Sequence, residues 1–204
     1  MKKYFTPMLL TLLLAVVLSG CVVGGGKPLN VAFKPQGGLS LQPGNVQLLV
    51  FDNRRDLNLV GPEATSSDLL KESQAGRIDL TTTLPNGNTI ALSHLTVQAL
   101  VYEAVKYKLA TQGITAGPDT TGAKARVAIY ITEFSIDVES GDYVGRVALQ
   151  SVIDRPGLTT VYRSSAIGQG SKFKLVGDMG SEVAMSDAVT ICVNNLDFSG
   201  LNSF

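Results

Sequence analysis

The chain has 204 residues, with 17 Lys or Arg, 17 Asp or Glu and a single His, so its formal net charge is zero. This balance excludes the basic excess through which proteins bind nucleic acid by counterion release. No block of Lys and Arg is present to suit an anionic lipid surface either.

The first twenty residues have the three parts of a bacterial secretion signal. Lys2-Lys3 forms the positive part, Leu9 to Leu18 the apolar part, and Ser19-Gly20 the small residues before a cleavage site. A membrane-spanning helix needs roughly 20 apolar residues, whereas the run from Phe5 to Gly20 is shorter and is interrupted by Thr6, Pro7 and Thr11. We therefore predict that residues 1–20 are a signal peptide rather than a retained transmembrane anchor.

The tetrad Leu18-Ser19-Gly20-Cys21 resembles the lipobox of bacterial lipoproteins. The resemblance implies that the Cys21 thiol carries a diacylglycerol, that cleavage occurs before Cys21, and that the new amino terminus is acylated. Because each buried methylene contributes ~0.8 kcal/mol, two or three chains would anchor the protein stably. Val22 lacks the Asp that favours inner-membrane retention in enteric lipoproteins, which predicts an outer-membrane anchor facing the periplasm. The alternative is an ordinary signal peptide with a chance cysteine near its cleavage site.

After cleavage, 184 residues remain, with 15 basic and 17 acidic side chains once Lys2 and Lys3 are removed. This length suits one domain with its own core. Residues 21–45 are rich in Gly and Pro and are predicted to form the lipidated Cys and a flexible tether. Leu29 to Phe33 within them remains a candidate edge strand. The single α+β periplasmic domain is predicted over residues 46–204.

The first half of this domain is predicted to contain one buried strand and one helix. Val46–Asp52 is a compact apolar run typical of a buried strand. Residues 53–92 are irregular and polar, with short strands expected around 77–83 and 89–92. Apolar residues then repeat at helical spacing between a cap at Ser93 and a C′ glycine at Gly113.

The second half is predicted to contain three antiparallel strands and a second helix. The strands cover 126–138, 143–154 and 158–168, and the alternation in the first slips near Glu133, as a β-bulge would cause. The helix covers 181–196. The predicted fold is therefore an α+β two-layer domain, with a mostly antiparallel sheet and two helices on one face. Its order is strand, loop, helix, three-strand meander, helix.

This order of elements, together with the lipobox, resembles the YajG-type bacterial lipoproteins. The pieces that carry the resemblance are the Asp52–Asp56 turn, the helix ending at Gly113, Tyr162–Ser165 and Asp187–Val189. The resemblance implies an envelope lipoprotein without an assigned activity. The order is also similar to that of auxiliary lipoproteins of lipid-transport systems, which implies an accessory role in a transport or surface-structure machine.

The most suggestive polar cluster is the FDNRRD stretch at the end of the first predicted strand. Loops at strand ends often carry function, and Arg54 and Arg55 offer planar donors that match a carboxylate or phosphate. These arginines would then bind an anionic ligand or the carboxylate of a partner. In the structural alternative, which we favour, Asp52 and Asp56 pair with the arginines and close the turn.

Other candidate residues are too few for a recognised catalytic or metal site. His94 is the sole histidine and has no neighbour at metal-ligand spacing, so no metal and no cofactor are expected. Asp137, Glu139 and Asp142 cluster at the first hairpin and would suit a glycosidase only if two of them faced a cleft. With Cys21 lipidated, Cys192 has no disulfide partner, and it falls on an apolar helix stripe, where a buried, inert thiol is expected.

The sequence thus favours a non-enzymatic binding or assembly module, anchored to the membrane by lipid on Cys21. An envelope protein or a second copy is the expected partner, and it would contact the sheet face or edge strand that the helices leave bare. The alternative is a cell-wall or lipid-acting hydrolase that uses carboxylates.

Overall fold

The computed structural model describes residues 29–37, 41, 44–64, 80–83, 86–91, 97–119, 121–157, 159–174 and 179–202. The predicted signal peptide, Cys21, the predicted helix cap Ser93 and His94 lie outside these residues. The described strands are β1 (Leu29–Ala32), β2 (Gly44–Asp52), β3 (Leu80–Thr83), β4 (Thr89–Ala91), β5 (Ile114–Gly117), β6 (Ala125–Glu139), β7 (Asp142–Asp154) and β8 (Tyr162–Phe173). The described α-helices are α1 (Val97–Thr111) and α2 (Met179–Asn195), and a 3-10 turn at Ser199–Leu201 follows α2.

Within the described residues, the main sheet has five strands in the order β5-β2-β6-β7-β8. The predicted antiparallel meander is confirmed as β6, β7 and β8, and its register shifts between Ile131 and Glu133, where the bulge was expected. β2 runs parallel to both β5 and β6, so the sheet is mixed rather than mostly antiparallel. Parallel neighbours need a crossover connection, and the segment that contains α1 supplies it between β2 and β5.

Both helices pack on the main sheet, which confirms the two-layer α+β class. α1 lies on β2 and β5, and α2 lies on β7 and β8. Burying one Val or Leu side chain contributes roughly 1.5–3 kcal/mol, so these two apolar stripes are a main source of stability. The stripe of α1 consists of Val97, Leu100, Val101, Ala104, Val105 and Leu109, and that of α2 consists of Ala184, Met185, Ala188, Val189, Cys192 and Val193.

The contact between α2 and the sheet is unusually close because glycines line the sheet beneath the helix. A Cβ atom added to Gly168 would lie 2.0 Å from the carbonyl oxygen of Ala188, and one on Gly170 would lie 2.2 Å from that of Ala184. Gly145 of β7 pairs with Gly170 across the sheet. The backbone of α2 therefore rests almost directly on β7 and β8. Gly168 and Gly170 lie on β8, which continues to Phe173, past the predicted strand end at 168.

The C-terminal end of α1 follows an elementary backbone rule. Gly113 has φ +87°, a left-handed conformation that glycine adopts without the Cβ penalty, so the predicted C′ glycine is confirmed. Ile114 is buried, and it opens the short strand β5, which was not predicted.

A second, smaller sheet has the order β1-β3-β4 within the described residues. β1 runs parallel to β3, and β3 runs antiparallel to β4, which lie where short strands were expected. Leu29, Val31 and Phe33 are buried in the common core. The part of the predicted tether from residue 29 to 37 therefore belongs to the folded domain.

Candidate functional site

The turn after β2 is organised around an ion pair between Arg54 and Asp52. Arg54 donates from Nε and Nη2 to the two carboxylate oxygens of Asp52, each at 2.8 Å, and from Nη1 to the carbonyl oxygen of Phe134 at 3.2 Å. Only 6% of the Arg54 side chain and 17% of the Asp52 side chain are exposed. The hydrogen bonds from Arg54 lower the pKa of Asp52. Such bidentate, charge-assisted bonds are among the strongest in proteins, so Arg54 is committed to the fold.

The other two predicted residues of the turn do not join this pair. Arg55 and Asp56 are exposed. The Oδ1 atom of Asp56 accepts the backbone N–H of Asn58 at 2.9 Å, as in an Asx turn. Asp56 thus closes a turn through a backbone N–H rather than through an arginine, whereas Asp52 pairs with Arg54.

The acidic residues at the β6–β7 hairpin also have structural partners. Asp137 accepts backbone N–H groups from Ala64 at 2.9 Å and Val138 at 2.8 Å. Glu139 forms an ion pair with Arg146. Asp142 accepts the Ser171 hydroxyl at 3.1 Å, so each of the three carboxylates considered for a hydrolase contributes to local structure.

Cys192 lies on the buried side of α2, as predicted. Its Sγ atom donates to the carbonyl oxygen of Ala166 at 3.3 Å. Burial raises the pKa of the thiol to about 12. Since the thiolate is the reactive form, this cysteine is protected from chemistry at neutral pH.

The sequence analysis missed a row of polar side chains that binds the N-terminal segment to α2, here called the α2 ladder. Each side chain of the ladder accepts one backbone N–H, and the donors are every second residue of the segment. The spacing matches because four helical residues rise about 6 Å and two extended residues span about 6.6 Å. The pairs are Glu182 with Asn30 at 3.2 Å, Ser186 with Ala32 at 2.9 Å, Thr190 with Lys34 at 3.3 Å, and Asn194 with Gln36 at 3.0 Å.

Helix α1 holds the far end of the same segment. The Nζ atom of Lys108 donates to the carbonyl oxygen of Gln36 at 3.0 Å, although only 4% of this lysine is exposed. Burial lowers the pKa of Lys108. The backbone N–H of Leu41 donates to the carbonyl oxygen of Gln112 at 2.8 Å. The N-terminal segment is thus bound by both helices.

The Tyr162–Ser165 segment, which contributed to the family resemblance, secures the chain after α2. The Tyr162 hydroxyl donates to Asp197, and the Ser164 hydroxyl donates to the Asp197 carbonyl oxygen at 3.2 Å. The bond from Tyr162 lowers the pKa of Asp197. These contacts are structural.

Among the described residues, no group of three or more His, Cys, Asp or Glu side chains is placed to hold a metal ion. The helices that the structure describes are also too short or too polar to cross a bilayer.

A scan against protein-family models finds no match, and neither does a search of curated proteins. Among solved structures, the chain is similar to protein XCC0632 from Xanthomonas campestris, of family DUF330, at 10% identity and a TM-score of 0.53. This match covers 86% of this chain and 94% of that one. It shows that the two proteins share a fold.

Two further solved structures match more loosely. The PelC dodecamer from Paraburkholderia phytofirmans has 10% identity and a TM-score of 0.44, covering 82% of this chain and 92% of that one. Lipoprotein GNA1162 from Neisseria meningitidis has 15% identity and a TM-score of 0.30, covering 63% of this chain and 84% of that one. None of these three structures is described as YajG-type.

Proposed function

We propose that this protein is a lipoprotein of the cell envelope, held in the outer membrane by acyl chains on Cys21. Its domain is a non-enzymatic binding or assembly module that faces the periplasm. The secretion signal and the lipobox support the anchor, and the α2 ladder is the observation that carries the proposal for the domain.

The α2 ladder supports this function because it binds the N-terminal segment, which follows Cys21 in the chain, to the core of the domain. Leu29, Val31 and Phe33 are buried, while the backbone N–H groups of the residues between them bond to α2. Only eight positions separate Cys21 from Leu29. At ~3.6 Å per residue this link would keep Leu29 within about 29 Å of the lipidated residue, which supports a module that engages a neighbouring envelope protein.

The proposed contact surface is the outer face of the main sheet, opposite the helices. Phe51 and Tyr130 stack there with their ring centroids 5.2 Å apart. On the same face, Ile167 is 72% exposed and Arg163 is also exposed. Aromatic residues and arginine are enriched at protein–protein interfaces. The occupant that this composition favours is the apolar surface of another envelope protein.

Photocrosslinking in intact cells tests this proposal. A photoreactive amino acid at Ile167 is compared with one at Ile191, an isoleucine on α2 that is 42% exposed on the helix side of the domain. We expect an adduct with an outer-membrane or periplasmic protein at Ile167 and none at Ile191, with the partner identified by mass spectrometry. An adduct of two copies at Ile167 would support the self-association form. Equal adducts at both positions, or none at Ile167, would contradict the proposed surface.

Mass spectrometry of the protein from bacterial membranes tests the anchor separately. We expect a chain that begins at Cys21 and carries a diacylglycerol and an acyl group. A soluble chain with an unmodified Cys21 would overturn the lipoprotein assignment.

A further inference from the structure

The N-terminal segment enters the fold at one particular end of the domain. Asn30 bonds to Glu182 in the first turn of α2, and Gln36 bonds to Asn194 in the last turn. The segment therefore runs parallel to α2, and Leu29 lies beside the start of this helix.

The end of β8 lies at the same end of the domain. β8 runs antiparallel to α2, because Gly168 faces Ala188 whereas Gly170 faces Ala184. A Cβ atom on Gly180, at the start of α2, would lie 3.2 Å from the carbonyl oxygen of Phe173. We call this region the anchor end: it comprises the start of α2, the end of β8 and the β6–β7 turn at Ser140-Gly141.

The covalent chain keeps the anchor end near the lipid. Leu29 is eight residues beyond Cys21, and an extended chain covers at most ~3.6 Å per residue, so the two Cα atoms are within about 29 Å of each other. β8 alone, with its 12 residues, is about 40 Å long at ~3.3 Å per residue. Of the two ends of the main sheet, the anchor end is therefore the one held next to the membrane.

The anchor end carries an exposed aromatic side chain between two lysines. Phe173 is 62% exposed, and Lys172 is exposed beside it. Lys174 donates its backbone N–H to the carbonyl oxygen of Gly141 at 3.0 Å, which ties the end of β8 to the hairpin turn. Phenylalanine is among the apolar side chains that interfacial segments bury at the boundary between headgroups and acyl chains, and lysines can lay their alkyl stems on apolar surface while the ammonium group stays in water.

The acidic residues nearby do not oppose contact with an uncharged lipid surface. Glu139 forms an ion pair with Arg146, and Asp142 accepts a bond from Ser171. The contact therefore depends on apolar burial of the aromatic ring, and zwitterionic lipid is the appropriate probe.

We propose that the anchor end is seated on the membrane surface, with Phe173 inserted at the boundary between headgroups and acyl chains. This inference rests on the proposed lipidation of Cys21. The strands of the main sheet then project away from the bilayer, and the outer face of the sheet is turned sideways toward a neighbouring envelope protein.

Tryptophan fluorescence tests the proposal because the chain contains no tryptophan. The variants are Phe173→Trp and, as the matched control, Ile167→Trp, an exposed position on the same face of β8 about 20 Å away at ~3.3 Å per residue. Each full-length lipidated variant is placed in phosphatidylcholine vesicles with and without brominated acyl chains. We expect bromine to quench the Phe173→Trp variant several-fold more than the Ile167→Trp variant, and its emission to shift to shorter wavelength.

The outcomes separate the two proposals. If mass spectrometry finds Cys21 lipidated but the two variants are quenched equally, or the Ile167→Trp variant more, the membrane seating is wrong and the lipoprotein assignment stands. If Cys21 is unmodified and the protein does not associate with the vesicles, both proposals fail.

Discussion

The two sides of α2 make contacts of opposite kinds. On the side facing the sheet, the helix backbone rests on Gly168 and Gly170, where an added Cβ atom would collide with backbone oxygens. On the ladder side, polar side chains accept single hydrogen bonds from the N-terminal segment, and those of Thr190 and Asn194 are exposed to solvent. The contact with the sheet depends on close packing and leaves no room for a side chain at Gly168 or Gly170. The second contact consists of separate hydrogen bonds, so we expect the loss of one acceptor to leave the other bonds in place.

The largest effect on the contact between α2 and the sheet is expected from Gly168→Ala. The new Cβ atom would lie 2.0 Å from the Ala188 oxygen, and a helix backbone cannot yield as a flexible side chain can. We expect a loss of about 3 kcal/mol in the free energy of unfolding, measured in urea.

The matched control for this variant is Gly117→Ala, since a Cβ atom at Gly117 would meet no heavy atom within 4 Å. Its unfolding free energy should stay within about 0.5 kcal/mol of the wild type. If both variants lost the same stability, close packing of α2 would not explain the glycine at 168.

The Arg54 pair is next in expected effect. Arg54→Ala would leave the Asp52 carboxylate and the Phe134 oxygen without their partner, which should cost about 2–3 kcal/mol. Arg55→Ala, at the exposed neighbouring position, should change stability by less than about 0.5 kcal/mol. Equal losses in urea unfolding would show that Arg55 has a structural role that its exposure does not suggest.

The same ion pair predicts a pH dependence. Arg54 lowers the folded-state pKa of Asp52 below its ordinary value of 3.8, so the ionised carboxylate stabilises the fold above that pH. The stabilisation is lost as the pH falls through the folded-state pKa. The difference in unfolding free energy between the wild type and Asp52→Asn should therefore be constant near neutral pH and shrink below pH 3.8. A difference that grew on acidification would have the wrong sign.

The smallest effect is expected on the ladder side. Asn194→Ala removes the acceptor for the Gln36 N–H and the donor to the Lys34 oxygen, both exposed bonds, at a cost of about 1 kcal/mol. Hydrogen exchange of the Gln36 amide, followed by NMR, should accelerate. The Ala32 amide, bonded to Ser186, serves as the internal control and should be unaffected. Equal acceleration of both amides would mean that the ladder opens as one unit.

Much of the local structure could be predicted from the sequence because it depends on neighbouring residues. The Gly113 helix end, the bulge before Glu133 and the buried stripe that contains Cys192 all follow from spacing and backbone preference. The sequence also predicted that aspartates and arginines pair within the Asp52–Asp56 turn. It did not predict which residues form the buried pair and which two are exposed, because this depends on the approach of Arg54 to the carbonyl oxygen of Phe134 on a distant strand.

Sequence patterns predicted the two helices, the strands β2, β6, β7 and β8 in their order, and the lipid attachment at Cys21, because each of these depends on a short contiguous stretch. The parallel neighbours of β2 and the binding of the segment from Leu29 along α2 became evident from the three-dimensional structure alone. An apolar run specifies that a strand is buried but not the direction of the strand beside it. A polar residue every fourth position resembles any solvated helix face until an extended segment with matching spacing is brought against it.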